Sequence, residues 1–145
     1  MRIAICTDHG GIELKNILAD YIQDLGYDLV DFGTDSEESV DYPDYAHPLS
    51  SAIEKGDNDF GIAICGSGNG ISMTANKYPG IRAALCWNVE ISKLARLHNN
   101  ANICSIPARF VSEELAMDIV EAFFDTEYEG GRHQIRIEKI PIKNI

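Results

Sequence analysis

The sequence has no cysteine pair at CxxC spacing and no Cys/His run of the kind that holds structural zinc, although cysteines stand at Cys6, Cys65, Cys86 and Cys104. It has no apolar run long enough to cross a membrane and no basic leader ahead of its first apolar segment, so the expected compartment is the cytoplasm. Positive charge is scarce: 12 Lys and Arg face 23 Asp and Glu, for a net charge of −11. That balance argues against nucleic acid or an anionic membrane as partner, since both require a positive surface. There is no internal repeat, linker or low-complexity stretch. With 145 residues, 45% of them hydrophobic, the chain suffices for one ordered domain and not two.

What the sequence has is a regular alternation. Strand-like apolar runs fall at Arg2–Cys6, Leu29–Phe32, Phe60–Cys65, Ile81–Trp87 and Asn102–Ile106. Between them lie stretches of helical period, such as Leu14, Ile17, Leu18, Tyr21, Ile22 and Leu25, stopped by Gly26. A second helix carries Ala46, Leu49, Ala52 and Ile53, and tolerates Pro48 only in its first turn. Helices are further expected around Ile71–Lys77 and Val89–His98. Ser112 reads as the N-cap of a helix through Phe124, and a short terminal helix spans about residues 131–140. The pattern predicts a single three-layer α/β/α Rossmann-like domain with a five-stranded, mainly parallel sheet. Ligands of such sheets bind at the carboxyl ends of the strands.

Four groups are expected to converge there. Asp8 and His9 follow the first strand and Cys65-Gly66-Ser67-Gly68-Asn69-Gly70 follows the third. His98 and Asn99 follow the fourth helix, and Arg109 follows the fifth strand. The glycine loop lacks the Gly-Lys-Ser/Thr ending of a P-loop, but its amides can approach an anion closely. A thiol at a strand end facing a helix N-terminus is favoured as thiolate, and backbone donors beside it can stabilise an oxyanion. That pairing suits aldose–ketose isomerisation, with Cys65 as the base at carbon and the Gly66–Gly70 amides on the enediolate oxygens. Ser67 would move the hydroxyl proton, and His98 would open the sugar ring. Arg132 and Arg136, one helical turn apart, offer guanidinium forks for a phosphate despite the acidic chain.

The whole chain resembles the ribose-5-phosphate isomerase B family, in the wider ribose/galactose isomerase group. The markers are Asp8-His9-Gly10-Gly11, Asp41-Tyr42-Pro43, Cys65 to Ile71, Ala75-Asn76-Lys77, Gly80-Ile81-Arg82-Ala83, Arg96-Leu97-His98-Asn99 and Tyr128 to His133. The resemblance implies Cys65 as proton-transferring base and His98 as ring-opening acid/base. It also implies substrate contacts from Asp8, His9, Tyr42, Gly66, Ser67, Gly68, Asn69, Gly70, Asn99, Arg109, Arg132 and Arg136. One branch of the family carries a glutamate base just after the glycine loop, where this chain has Ile71. Relatives form homodimers, sometimes dimers of dimers, with shared sites. By that analogy His9, Arg132 and Arg136 come from the subunit opposite Cys65, and the C-terminal helix reaches the partner.

The expected reaction is interconversion of ribose 5-phosphate and ribulose 5-phosphate, with no cofactor and no metal. The alternatives are an isomerase of a hexose 6-phosphate such as allose 6-phosphate or galactose 6-phosphate, and a non-catalytic phosphate-metabolite-binding module. The Gly130-Gly131-Arg132-His133 segment favours the pentose, because galactose 6-phosphate relatives lack it.

Overall fold

Side chains alternate across a strand, so a strand buried on both sides reads as a continuous apolar run. Phe60–Cys65 is such a run, and it lies at the centre of the sheet. The computed structural model describes residues 1–143. Its strands are β1 (Arg2–Thr7), β2 (Asp28–Asp31), β3 (Phe60–Cys65), β4 (Ala83–Leu85) and β5 (Ile103–Pro107). They form one sheet in the order β2-β1-β3-β5-β4, and every pairing is parallel. The expected architecture holds, with the sheet wholly rather than mainly parallel.

The helices are α1 (Ile12–Asp24), α2 (Pro43–Glu54), α3 (Asn69–Ala75), α4 (Val89–Asn99), α5 (Glu113–Asp125) and α6 (Arg132–Ile137). On one face Ile3, Ile5, Ile62 and Ile64 pack against Leu18 and Ile22 of α1, Ala95 of α4, and Ile119 and Phe123 of α5. On the other face Ala4, Cys6, Ala63 and Cys65 meet Leu49 and Ile53 of α2 and Ile71 of α3. The alternation therefore directs the Cys65 side chain to the α2/α3 face. Ser112 caps α5 as expected, accepting from the Leu115 N–H at 3.1 Å. The placement of Pro48 is corrected. It lies inside α2, one turn beyond the start at Pro43. The carbonyl it leaves unpaired belongs to Asp44, an exposed residue that water can satisfy.

The Lys15 side chain is fully buried and donates to Asp31 at 2.6 Å and Asp35 at 2.8 Å. Burial pulls its pKa down, but the bonds to the two carboxylates outweigh that and leave it above the ordinary 10.5. The triad ties α1 to the end of β2 and to the loop that follows. Lys15→Ala is expected to cost about 2–3 kcal/mol, below the value for a fully buried pair because Asp35 remains in water. Urea unfolding at neutral pH checks the size. With a raised folded pKa, this stabilisation is complete below pH 10.5 and is lost as pH climbs through the folded value. On the alkaline side the gap between wild type and variant should therefore persist until strong alkali.

Candidate active site

Because β1 and β3 are neighbours, the loops leaving them meet. Thr7 stands opposite Ile64 in the ladder, and the Asp8 N–H donates to the Ile64 carbonyl at 3.3 Å. The Asp8 carboxylate accepts from the Gly10 N–H at 2.9 Å, closing a single 3-10 turn over His9–Gly11. A Cβ on Gly10 would lie 3.7 Å from the Gly66 nitrogen, so the two loops run side by side. The Val40 N–H donates to His9 Nδ1 at 3.0 Å and ties that ring to the loop before α2.

The glycine loop is held from three directions. The Cys65 and Gly66 carbonyls accept from the Ala108 and Arg109 N–H groups, each at 3.0 Å. The Arg109 guanidinium covers Gly66, with its Nε 3.1 Å from where a Cβ would stand. Gly68 has φ +75°, and a side chain there would run into Leu85. Tyr42 lies over Gly70, its hydroxyl oxygen 2.8 Å from the place of a Cβ. Ser67 and Asn69 are exposed, and Ser67 Oγ accepts from the Asn69 N–H at 3.3 Å. Asp8, His9, Tyr42, Cys65, the loop through Gly70 and Arg109 thus share one edge of the sheet. Gly70→Ala is expected to expel the Tyr42 ring and lower kcat/KM about 10- to 100-fold. Steady-state kinetics alongside an unchanged circular dichroism spectrum would check this.

All four cysteines are free. Cys6, Cys86 and Cys104 are fully buried, whereas Cys65 retains 5% exposure at the loop. Burial, with Asp31 nearby, pushes the Cys6 thiol far up, and the hydrogen bond with Cys86 together with burial does the same to Cys104. A soluble thiol reagent is therefore expected to label one cysteine per native chain. Mass spectrometry should find that label on Cys65, and Cys65→Ser should remove it.

His98 and Asn99 do not join this edge, which corrects the expected convergence. A helix between parallel strands runs back against them, so α4 ends where β5 begins. The Arg82 Nε just before β4 donates to the Asn99 carbonyl at 3.0 Å, and the Arg96 guanidinium stacks 4.5 Å over Phe60 at the start of β3. Cys65 lies at the far end of that strand, about 17 Å away along six residues. The assignment of His9 to the opposite chain is also corrected, since His9 adjoins the Cys65 loop of its own chain.

A second cluster stands at the amino edge. The His98 and His133 rings stack with centroids 4.3 Å apart and planes 15° from parallel. Glu129 Oε2 lies 3.8 Å from His98 Nε2 and 4.0 Å from His133 Nε2. The Glu129 N–H donates to the Leu97 carbonyl at 3.0 Å, fixing this turn on the end of α4. Arg132 and Arg136 are exposed on α6, where Arg136 Nη1 donates to the Arg132 carbonyl at 3.0 Å. Burial pushes the His133 pKa down, His98 and the two arginines push the same way, and Glu129 opposes them. One ligand atom each from His98, Glu129 and His133 lies within 4.8 Å of the others, the spacing of a loose metal trio. The near-parallel rings aim their lone pairs side by side rather than at one point, so as they stand they fit an ion poorly. Sequence reasoning names Glu129 and His133 only within the Tyr128 to His133 motif and not as partners of His98; their spacing of four on either side of Gly130-Gly131 is the available signal.

The family model for Ribose/Galactose Isomerase matches residues 3–140. The chain belongs to the ribose/galactose isomerase family. Ribose-5-phosphate isomerase B of Escherichia coli is 44% identical over 139 residues, covering 96% of this chain and 93% of that protein. The ribose 5-phosphate isomerase of Thermotoga maritima is 50% identical with a TM-score of 0.95, covering 97% of both chains. Ribose-5-phosphate isomerase B of Mycoplasma genitalium, solved with bound ribulose 5-phosphate, is 40% identical with a TM-score of 0.93, covering 96% of this chain and 93% of that one. Membership in the ribose/galactose isomerase family thus rests on sequence and fold together, over nearly the whole chain.

Proposed function

We propose that the chain interconverts ribose 5-phosphate and ribulose 5-phosphate in sites built from two copies of itself. The observation that carries the reading is Cys65 at the mouth of the glycine loop, in a chain whose Mycoplasma genitalium relative was solved with ribulose 5-phosphate. In the forward direction His98 transfers a proton to the ring oxygen as the anomeric hydroxyl loses its own, and the ring opens. The Cys65 thiolate then takes the proton from C2, and the electrons move into an enediolate whose oxygens meet the Gly66–Gly70 amides. Ser67 passes the hydroxyl proton between O2 and O1. Cys65 returns its proton to C1, leaving the carbonyl at C2.

Two half-sites at opposite ends of one sheet support a homodimer. A two-fold axis would bring the Cys65 edge of each copy against the His98, Asn99, Arg132 and Arg136 edge of the other, making two equal sites. Large apolar side chains stand exposed on both halves, with Met73 and Phe110 near the loop and Ile135 on α6, as a covered surface requires. In this reading the 145 residues form one catalytic domain whose C-terminal helix enters the partner's site. Asp8, His9, Tyr42 and Arg109 contact the sugar from the Cys65 side. Four free thiols favour the reducing cytoplasm.

The test is turnover of ribose 5-phosphate beside allose 6-phosphate under exhaustive chelation. Ribulose 5-phosphate should form at an undiminished rate, with a higher kcat/KM for the pentose. A strong preference for the hexose phosphate would overturn the substrate, binding without turnover would overturn the catalytic reading, and loss of rate to the chelator would overturn metal independence.

A further inference from the structure

Ring opening moves two protons, one onto the ring oxygen and one off the anomeric hydroxyl, so the acid that gives the first must be held ready to recover the second. The amino edge supplies more than the one histidine that the proposed reaction uses. His133 is buried to 9% exposure, and its Nε2 has no hydrogen-bond partner among the described residues. A buried polar atom without a partner is costly and seldom accidental. This one lies 4.0 Å from the carboxylate oxygen that also stands 3.8 Å from His98 Nε2. These separations exceed a direct hydrogen bond, and catalytic contacts of this kind tighten when substrate closes the site. The His133 Nε2 is shut off from solvent, whereas His98 is 40% exposed at its side chain.

We infer that Glu129 and His133 are positioning residues for ring opening, the Glu129 carboxylate spanning the stacked His98 and His133 imidazoles so that the pair keeps a proton for His98 to give and reclaim. The inference rests on the proposed ring-opening role of His98. Charge at the cluster fits it. Burial, the His98 ring, and Arg132 and Arg136 from α6 all work against a proton on His133, and Glu129 is the anion that opposes them. Neighbouring imidazoles with one shared proton can donate at one nitrogen and accept at another, and Glu129 makes that state bearable beside two guanidinium groups. No atom is gained or lost: the proton that leaves the anomeric oxygen replaces the one delivered to the ring oxygen as the C1–O bond breaks.

Ring opening can be read apart from isomerisation in a Cys65→Ala background, where proton transfer at carbon is blocked and anomer exchange remains. The exchange rate of ribose 5-phosphate labelled with carbon-13 at C1 is measured by NMR, with buffer alone as baseline. Cys65→Ala should accelerate exchange, and adding Glu129→Gln or His133→Asn should remove at least nine-tenths of that acceleration, as suits a general-acid contribution of about 10²-fold. As single substitutions in wild type, the two should lower kcat for ribose 5-phosphate and leave KM within about twofold, since phosphate anchoring is untouched. Double variants that keep the full Cys65→Ala acceleration overturn the inference. So does a loss of isomerisation in Glu129→Gln that raises KM alone. If Cys65→Ala itself exchanges no faster than buffer, the ring-opening role of His98 falls and takes the inference with it, while proton transfer by Cys65 still stands on its own assay.

Discussion

Cys65→Ala and Cys65→Ser are each expected to lower turnover of ribose 5-phosphate by about 10³-fold, within the range for removing a positioned general base. The serine variant is the sharper experiment. It keeps nearly the same volume at a position with 5% exposure, so packing against Ile71 and Ala63 changes little. What it removes is acidity, since a hydroxyl is a far weaker acid than a thiol. Near-normal rates in both variants would move the base elsewhere. Ile71, just after the loop, is fully buried and offers no carboxylate in its place. KM should change far less than kcat, because the proposed role puts Cys65 at the reacting carbons and not at the phosphate.

The second large effect is complementation. A chain carrying Cys65→Ala and a chain carrying both Arg132→Ala and Arg136→Ala should each be nearly inactive, the latter by about 10²- to 10³-fold through lost charged hydrogen bonds. Mixed in equal amounts, dissociated and reassembled, they should recover about a quarter of wild-type activity. Half of the dimers are then mixed, and each mixed dimer has one intact site of two. Sites complete within one chain would yield no recovery. The control is a single chain carrying all three substitutions mixed with Cys65→Ala, which should recover nothing.

Much of this was legible in the residues. Phe60–Cys65 reads as a central strand because it is apolar at every position, and the structure gives the same bounds at the sheet centre. The loop at Gly66–Gly70 was visible as a strand-to-helix turn, and the structure adds why its glycines are there: Arg109, Leu85 and Tyr42 occupy the space of a side chain. The position of His98 is not legible in its neighbours, because helix direction decides it. A helix that follows one parallel strand and precedes another must deliver its C-terminus to the amino edge, whatever residues it carries. Lys15 was equally hidden, since a lysine inside an amphipathic helix looks like a solvated charge until Asp31 and Asp35 are placed beside it. Glu129 was read only as part of a motif, and its meaning depends on two rings from different helices.

The one-way run of the five strands has an outcome at the level of inheritance. In the proposed dimer, a lesion confined to one end of the sheet should behave as recessive, and two alleles damaged at opposite ends should rescue each other, because a mixed pair still assembles one working pocket. An allele damaged at both ends should instead be dominant, since every pairing with a healthy copy spoils both pockets at once.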